Sequence, residues 1–192
     1  MRFLLRYPAL FHRLRRLLNG DYLSRWSSLL ELKPGDRLLD VGCGVGEASC
    51  LAGPGIEYLG IDIDPEYIAY ARRLYGRDGV EFSCQRLEEL EQPFSKAIVV
   101  CVLHHLSASE VARLGQRLRQ LVTGPVGIVD PDAARSNRIQ RLFLHLDRGD
   151  YALRPICEHL APLASYYRWN QVLTRDTRLR GARLTYSVCT PV

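Results

Sequence analysis

LLDVGCGVGE (38–47) is the stretch that decides how this chain is read. Leu38, Leu39 and Val41 have the apolar character of a buried strand, and three glycines two apart, Gly42, Gly44 and Gly46, follow at once. A strand that runs out into bare backbone leaves main-chain N–H groups where a ligand can press against them. The spacing is G-x-G-x-G. A pyrophosphate seated on a helix N-terminus calls for G-x-G-x-x-G, so the loop argues against a nicotinamide dinucleotide.

Working outward, apolar runs alternate with helical periodicity, which predicts an α/β sheet. Strands are expected at 37–42, 58–62, 80–84, 96–102 and 125–130, the fourth apolar on both faces as a central parallel strand should be. Helices are expected from about Gly46, over 65–76 with Pro65 at its start and Gly76 at its end, and over 107–122, where Ser107 and Glu110 have capping-box spacing. Beyond strand five a helix over 136–147, a shorter one over 158–164 and a closing antiparallel hairpin (164–174 with 182–190) complete the pattern. No repeat or linker divides the 192 residues, so residues 1–192 read as one domain, with 1–30 a basic helical lid or packing segment.

The bulk properties exclude more than they select. With 47% hydrophobic and 24% charged residues the composition is that of a globular chain, and no stretch reaches the roughly 20 apolar residues of a membrane span. The formal net charge is +5, with Lys33 and Lys96 the only lysines. Such a balance suits acidic substrates, nucleic acid or anionic lipid alike. The first twenty residues lack the continuous apolar core of a signal peptide and read as mature protein. Their arginines and leucines are interleaved, so contact with an anionic membrane stands as the minority alternative to a lid. Six cysteines occur without any C-x-x-C pair. They read as reduced core residues of a cytoplasmic protein, and no metal site is expected.

Asp62 is twenty residues past Gly42, at the end of the second strand, where a carboxylate can accept two hydrogen bonds from the vicinal hydroxyls of a ribose. Asp40, near the end of the first strand, is placed to orient the loop or a water beneath it. Three segments in this order, LLDVGCGVGE (38–47), YLGIDIDPEYI (58–68) and AIVVCVLHHL (97–106), resemble the class I S-adenosylmethionine-dependent methyltransferases. As a set they are specific to that family, and with the strands between them they cover roughly residues 30–130. The resemblance implies a Rossmann-like, mainly parallel seven-stranded sheet of order 3-2-1-4-5-7-6, with the last strand antiparallel and helices on both faces.

It also implies roles. Asp40, Gly42, Gly44 and Gly46 would form the loop under the methionine part of S-adenosylmethionine, Asp62 would hold the ribose, Ile63 would flank the adenine, and the Val100 carbonyl would meet the ammonium group. Two departures bear on the adenine contacts. Arg86 stands where the family usually has an acidic residue, leaving the Gln85 side chain and the Leu87 amide to reach the ring; Ser95 replaces the usual aspartate before strand four.

His104 and His105 open the loop that would face the methyl acceptor. Either is a candidate general base, with helix capping or pocket lining as the alternative. Asp130, Asp147, Arg148 and Tyr151 are candidates for acceptor recognition, with a solvated helix end as the bland reading of the last three. The implied function is methyl transfer from S-adenosylmethionine to the oxygen, nitrogen or carbon of a small-molecule, lipid-like or natural-product acceptor. Nucleic acid is not the expected partner, because no aromatic-plus-basic RNA module is present. A compact RNA methyltransferase remains an alternative, as does a protein of this fold that binds the cofactor without transferring methyl, as a cyclase-like catalyst or a binding subunit.

Overall fold

The structure, a computed structural model, describes residues 8–10, 12, 13, 23, 26–138, 141, 154–176 and 183–192. Seven strands form one sheet: β1 (Arg37–Val41), β2 (Glu57–Asp62), β3 (Val80–Cys84), β4 (Lys96–Val100), β5 (Val126–Pro131), β6 (Tyr167–Asp176) and β7 (Arg183–Pro191). Their order is β3-β2-β1-β4-β5-β7-β6, the order the resemblance implies. The first five strands pair in parallel, and β7 runs antiparallel between β5 and β6. The closing hairpin forms one edge of the sheet, as expected.

Successive side chains of a strand leave on opposite faces, and the two cores divide accordingly. Leu38, Tyr58, Phe82 and Ile98 face one core, which α1 (Trp26–Leu29) and α2 (Pro65–Tyr75) complete with Trp26, Ile68 and Ala71. Leu39, Ile61, Val99 and Ile128 face the other, covered by Val111, Leu114 and Leu118 of α3 (Ala108–Leu121). The Ser107–Glu110 capping box starts α3 as expected. α4 (Ile156–Leu160) adds Leu160 to the second core.

Part of the 1–30 segment is plainly core. Leu23, Trp26 and Leu30 are buried, and Trp26 lies so close over β5 that a Cβ on Gly127 would be 2.2 Å from its Cζ3. His12 joins Glu47, Tyr70 and Tyr75, with contacts of 3.3, 3.2 and 3.0 Å. Of the helix expected over 136–147, residues 139, 140 and 142–147 lie outside the described residues.

Two expectations need correction. Strand four stops at Val100 rather than Val102, because Cys101 adopts φ +56° and turns the chain. The cysteines are not uniformly core. Cys43 and Cys189 are buried, and burial pushes the Cys189 thiol up to about 12. Cys50, Cys84 and Cys157 are exposed.

Between β3 and β4 the chain makes only a 3-10 turn, Leu87–Glu89. Among the described residues no longer helix packs there, and Glu57, Glu81 and Ser83 line a cleft of about 760 Å³ away from the glycine loop.

Candidate functional site

The parallel strands end together at one edge of the sheet, where Val41, Asp62 and Val100 are followed by irregular backbone. Gly42, Gly44 and Gly46 all have positive φ, at 71°, 53° and 84°. Gly42 and Gly46 are also needed for space. A Cβ on Gly42 would fall 2.5 Å from Val102 Cγ2, and one on Gly46 would fall 2.8 Å from Phe82 Cε1. Gly44 differs: nothing lies closer than 3.9 Å to its hypothetical Cβ. The loop is thus packed down at its ends and open at its middle. Gly42 N and Cys43 N both donate to Ile61 O, at 2.8 and 2.9 Å, which fixes the loop against the end of β2.

Asp62 joins the two loops. Its Oδ2 accepts from Gly44 N at 2.8 Å and its Oδ1 from Asp64 N at 2.9 Å. Asp64 in turn caps α2, accepting from Glu66 N and Tyr67 N. Asp62 has no salt-bridge partner among the described residues, and burial raises its pKa above the ordinary value despite the two backbone donors. A carboxylate has about four lone-pair sites, so acceptor capacity remains beyond these backbone donors. Ile63 beside it is 69% exposed, an isolated apolar side chain at the mouth of the loop. Gln85 N donates to Asp62 O at 3.2 Å, bringing the 85–87 turn alongside. Leu87 is buried, whereas Arg86 is exposed with its N–H held by Glu89.

Asp40 is the penultimate residue of β1. It is 1% exposed and accepts a 2.5 Å hydrogen bond from the Tyr58 hydroxyl, so it supports the loop from within the sheet. Ser95 is not at the site. It precedes β4, at the opposite end of the sheet, where its Oγ accepts from Arg37 N and donates to Asp36. The departure at Ser95 thus has no bearing on the adenine contacts.

The acceptor side lies beyond β4 and β5. The Cys101 N–H is held by Val129 O at 2.7 Å while its backbone is left-handed, a conformation that costs a non-glycine residue about 1–3 kcal/mol. The turn carries Leu103–His105, a single 3-10 turn, across the end of β5. His104 is 1% exposed and its Nδ1 lies 2.6 Å from Asp130 Oδ1, itself 0% exposed. Both side chains are buried against each other rather than open to solvent. His105 is exposed, its ring centroid 4.1 Å from that of His104. Asp147, Arg148 and Tyr151 lie outside the described residues.

One participant escaped the sequence reading. His159 on α4 is 2% exposed, and burial lowers its pKa, with Asp130 opposing that shift and His104 reinforcing it. A histidine on a short helix well past the end of β5 carries no motif that would single it out.

Residues 38–124 match the methyltransferase domain family. A 124-residue stretch is 32% identical to the 23S rRNA (uracil(1939)-C(5))-methyltransferase RlmD of Ralstonia nicotianae, covering 62% of this chain and 24% of that protein. A 94-residue stretch is 36% identical to 24-methylenesterol C-methyltransferase 2 of Oryza sativa, covering 47% of this chain and 26% of that protein. The chain therefore spans about a quarter of the length of these curated relatives. A solved S-adenosylmethionine-dependent methyltransferase from Aquifex aeolicus superposes with a TM-score of 0.71 at 19% identity, covering 96% of this chain and 98% of that one.

Proposed function

We propose that this chain, a member of the class I S-adenosylmethionine-dependent methyltransferase family, binds S-adenosylmethionine at the 42–46 loop and transfers its methyl group to a small-molecule acceptor. The observation that carries the reading is Asp62. A carboxylate taken largely out of water, tied only to neutral N–H groups and raised in pKa, is suited to receive two hydroxyl donors. Those donors fit the ribose, the open backbone at Gly44 gives room for the chain attached to it, and exposed Ile63 offers an apolar surface for the base.

Bound S-adenosylmethionine supplies an electrophilic methyl group on a sulfonium centre. The protein's own part is mainly alignment, because bringing two reactants into line supplies much of the acceleration in such a transfer. The glycine loop and Asp62 fix the donor side. His105 opens to solvent beside the ends of β4 and β5, where it can take the proton that an O–H or N–H acceptor releases as its bond to methyl forms. The products are then the methylated acceptor, the homocysteine form of the cofactor and one proton.

Calorimetric titration with S-adenosylmethionine, S-adenosylhomocysteine and NAD tests the donor side. Binding of the two sulfur ligands without NAD is expected; silence from both would overturn the reading. Formation of S-adenosylhomocysteine across an acceptor screen then tests transfer, which a cofactor-binding subunit would not perform.

RNA is the second reading for the acceptor, favoured by the stretch similar to an rRNA methyltransferase and by a pI near 9.0. It expects turnover on RNA transcripts that weakens steeply with salt. Turnover on small molecules, and none on transcripts, would dismiss it.

A further inference from the structure

We propose that Asp130, acting through His104, is the positioning residue for His105 at the acceptor side, and that the buried Asp130–His104 pair holds His105 as a neutral imidazole. The role of His105 rests on the function proposed above; the coupling itself does not.

Three separate features converge on this pair. In the β4–β5 register Val100 lies opposite Val129, so Asp130 is level with Cys101, the residue whose left-handed backbone turns the chain. That turn folds the 103–105 segment back over β5 and sets His104 Nδ1 2.6 Å from Asp130 Oδ1. A strained backbone thus serves a contact between two ionisable groups that are almost wholly buried, at 1% and 0% exposure. Such a pair is an expensive way to stabilise a core, since desolvation consumes most of the attraction. The second carboxylate oxygen, Asp130 Oδ2, is buried without a hydrogen-bond partner among the described residues, which makes the cluster poorer still as a packing device.

Its outward connection is His105. The two rings touch, with centroids 4.1 Å apart and planes inclined by 40°. One is buried against Asp130 and the other is exposed, so the inner ring offers the outer one a fixed surface to rest on. This is the arrangement a positioning residue requires: a rigid buried group against a partially free one.

The charge follows from which histidine carries the proton beside Asp130. Asp130 on β5, His104 and Arg154 just before α4 are the titratable or charged groups that act on His159 on α4, and His105 touches His104. His159 is kept toward its neutral form, chiefly by burial, and neither of its ring nitrogens makes a hydrogen bond of good geometry. On this proposal the group that matches the carboxylate is His104, donating from Nδ1 as an imidazolium. A second positive charge on the touching His105 ring is disfavoured, and a neutral ring can accept a proton.

The test is a pH titration of the imidazole ¹⁵N resonances in the full chain, which needs neither donor nor acceptor. His105→Gln assigns the outer ring. In the wild-type protein His104 is expected to keep imidazolium shifts through the neutral range, while His105 titrates with a low midpoint. Asp130→Asn removes the counter-charge, so His104 becomes neutral and the His105 midpoint rises by roughly half a pH unit, the size of one screened charge at this distance. His104→Gln, which can still donate to Asp130, is expected to raise the His105 midpoint likewise and covers the case in which Asp130→Asn does not fold. A His104 that titrates as an ordinary imidazole in the wild type, or a His105 midpoint unmoved in the folded variant, would overturn the proposal. A purely structural role for the pair would lower the melting temperature and leave that midpoint where it was. Failure of the calorimetric test above would remove the donor-site reading without altering this result.

Discussion

Asp36 and Asp62 lie at opposite ends of the sheet, and their surroundings differ in kind. Asp36, 5% exposed just before β1, accepts from Lys96 Nζ at 2.9 Å, Ser95 Oγ at 3.0 Å and Lys33 N at 2.9 Å. Burial pushes its pKa up, but Lys96 and the two other donors outweigh that and hold it below the ordinary value. Asp62 at the other end has two backbone donors and no salt-bridge partner among the described residues, and burial prevails. One carboxylate is satisfied within the fold and the other keeps acceptor sites for something outside it. The positive-φ run of Gly42, Gly44 and Gly46 belongs to the Asp62 end, while Gly35 and Gly55, also at positive φ, turn the chain at the Asp36 end.

If the comparison holds, substitutions at the two ends separate stability from binding. Lys96→Met is expected to have the largest effect. It strands Asp36 as a buried charge, and removing one partner of a buried pair costs about 3–5 kcal/mol. Urea denaturation at neutral pH would show that loss, while affinity for S-adenosylhomocysteine stays unchanged in the folded protein. Because the folded-state pKa of Asp36 is depressed, its contribution is present above the ordinary carboxylate value of 3.8 and is lost as pH falls through the folded-state value. The gap between wild type and Lys96→Met should therefore narrow in acid. An equal loss of ligand affinity, or a gap independent of pH, would break the contrast.

Asp62→Ala is expected to do the reverse. Two hydrogen bonds to a charged group are worth about 1.5–3 kcal/mol each, so S-adenosylhomocysteine binding should weaken by about 100-fold or more. Calorimetry checks it, and unchanged affinity would remove Asp62 from the site. The sign with pH is also opposite. The raised pKa of Asp62 means that its protonated form is favoured by folding, so its contribution to stability is present at low pH and is lost as pH rises through the folded-state value. Ligand binding needs the carboxylate and should weaken as pH falls through that same value, sooner than an ordinary aspartate would dictate.

The donor end was legible because its residues are contiguous. Gly42, Gly44, Gly46 and Asp62 lie on two strand ends that the apolar runs locate unaided, and parallel pairing brings those ends together. What the sequence could not give was direction. Asp40 and Asp62 are both acids near a strand end, yet one is turned inward to Tyr58 and the other toward the loop, and only the pleat and the neighbours decide. The acceptor end was less legible for the same reason. His104 and His105 are adjacent in the chain, but a single 3-10 turn buries one and exposes the other, while His159 arrives from a distant helix. Ser95 stands before β4 as expected, but its partners are Arg37 and Asp36, at the end of the sheet away from the glycine loop.

The smallest expected effects lie within the glycine loop and sharpen the comparison most. Gly44→Ala meets open space, so it should cost only the left-handed backbone term of about 1–2 kcal/mol. Its new methyl group occupies the open side of the loop, so ligand affinity should fall by more than stability does. Gly42→Ala carries the same backbone cost and adds a clash, its Cβ falling 2.5 Å from Val102 Cγ2. Val102→Ala in the same chain should return the overlap part and leave the backbone part. Denaturant melts of the three variants, with S-adenosylhomocysteine titrations alongside, give both quantities. If the Gly42→Ala variant is no less stable than Gly44→Ala, or Val102→Ala restores nothing, the ends of the loop are not packed down by their neighbours. The open middle would then have no special claim to the ligand.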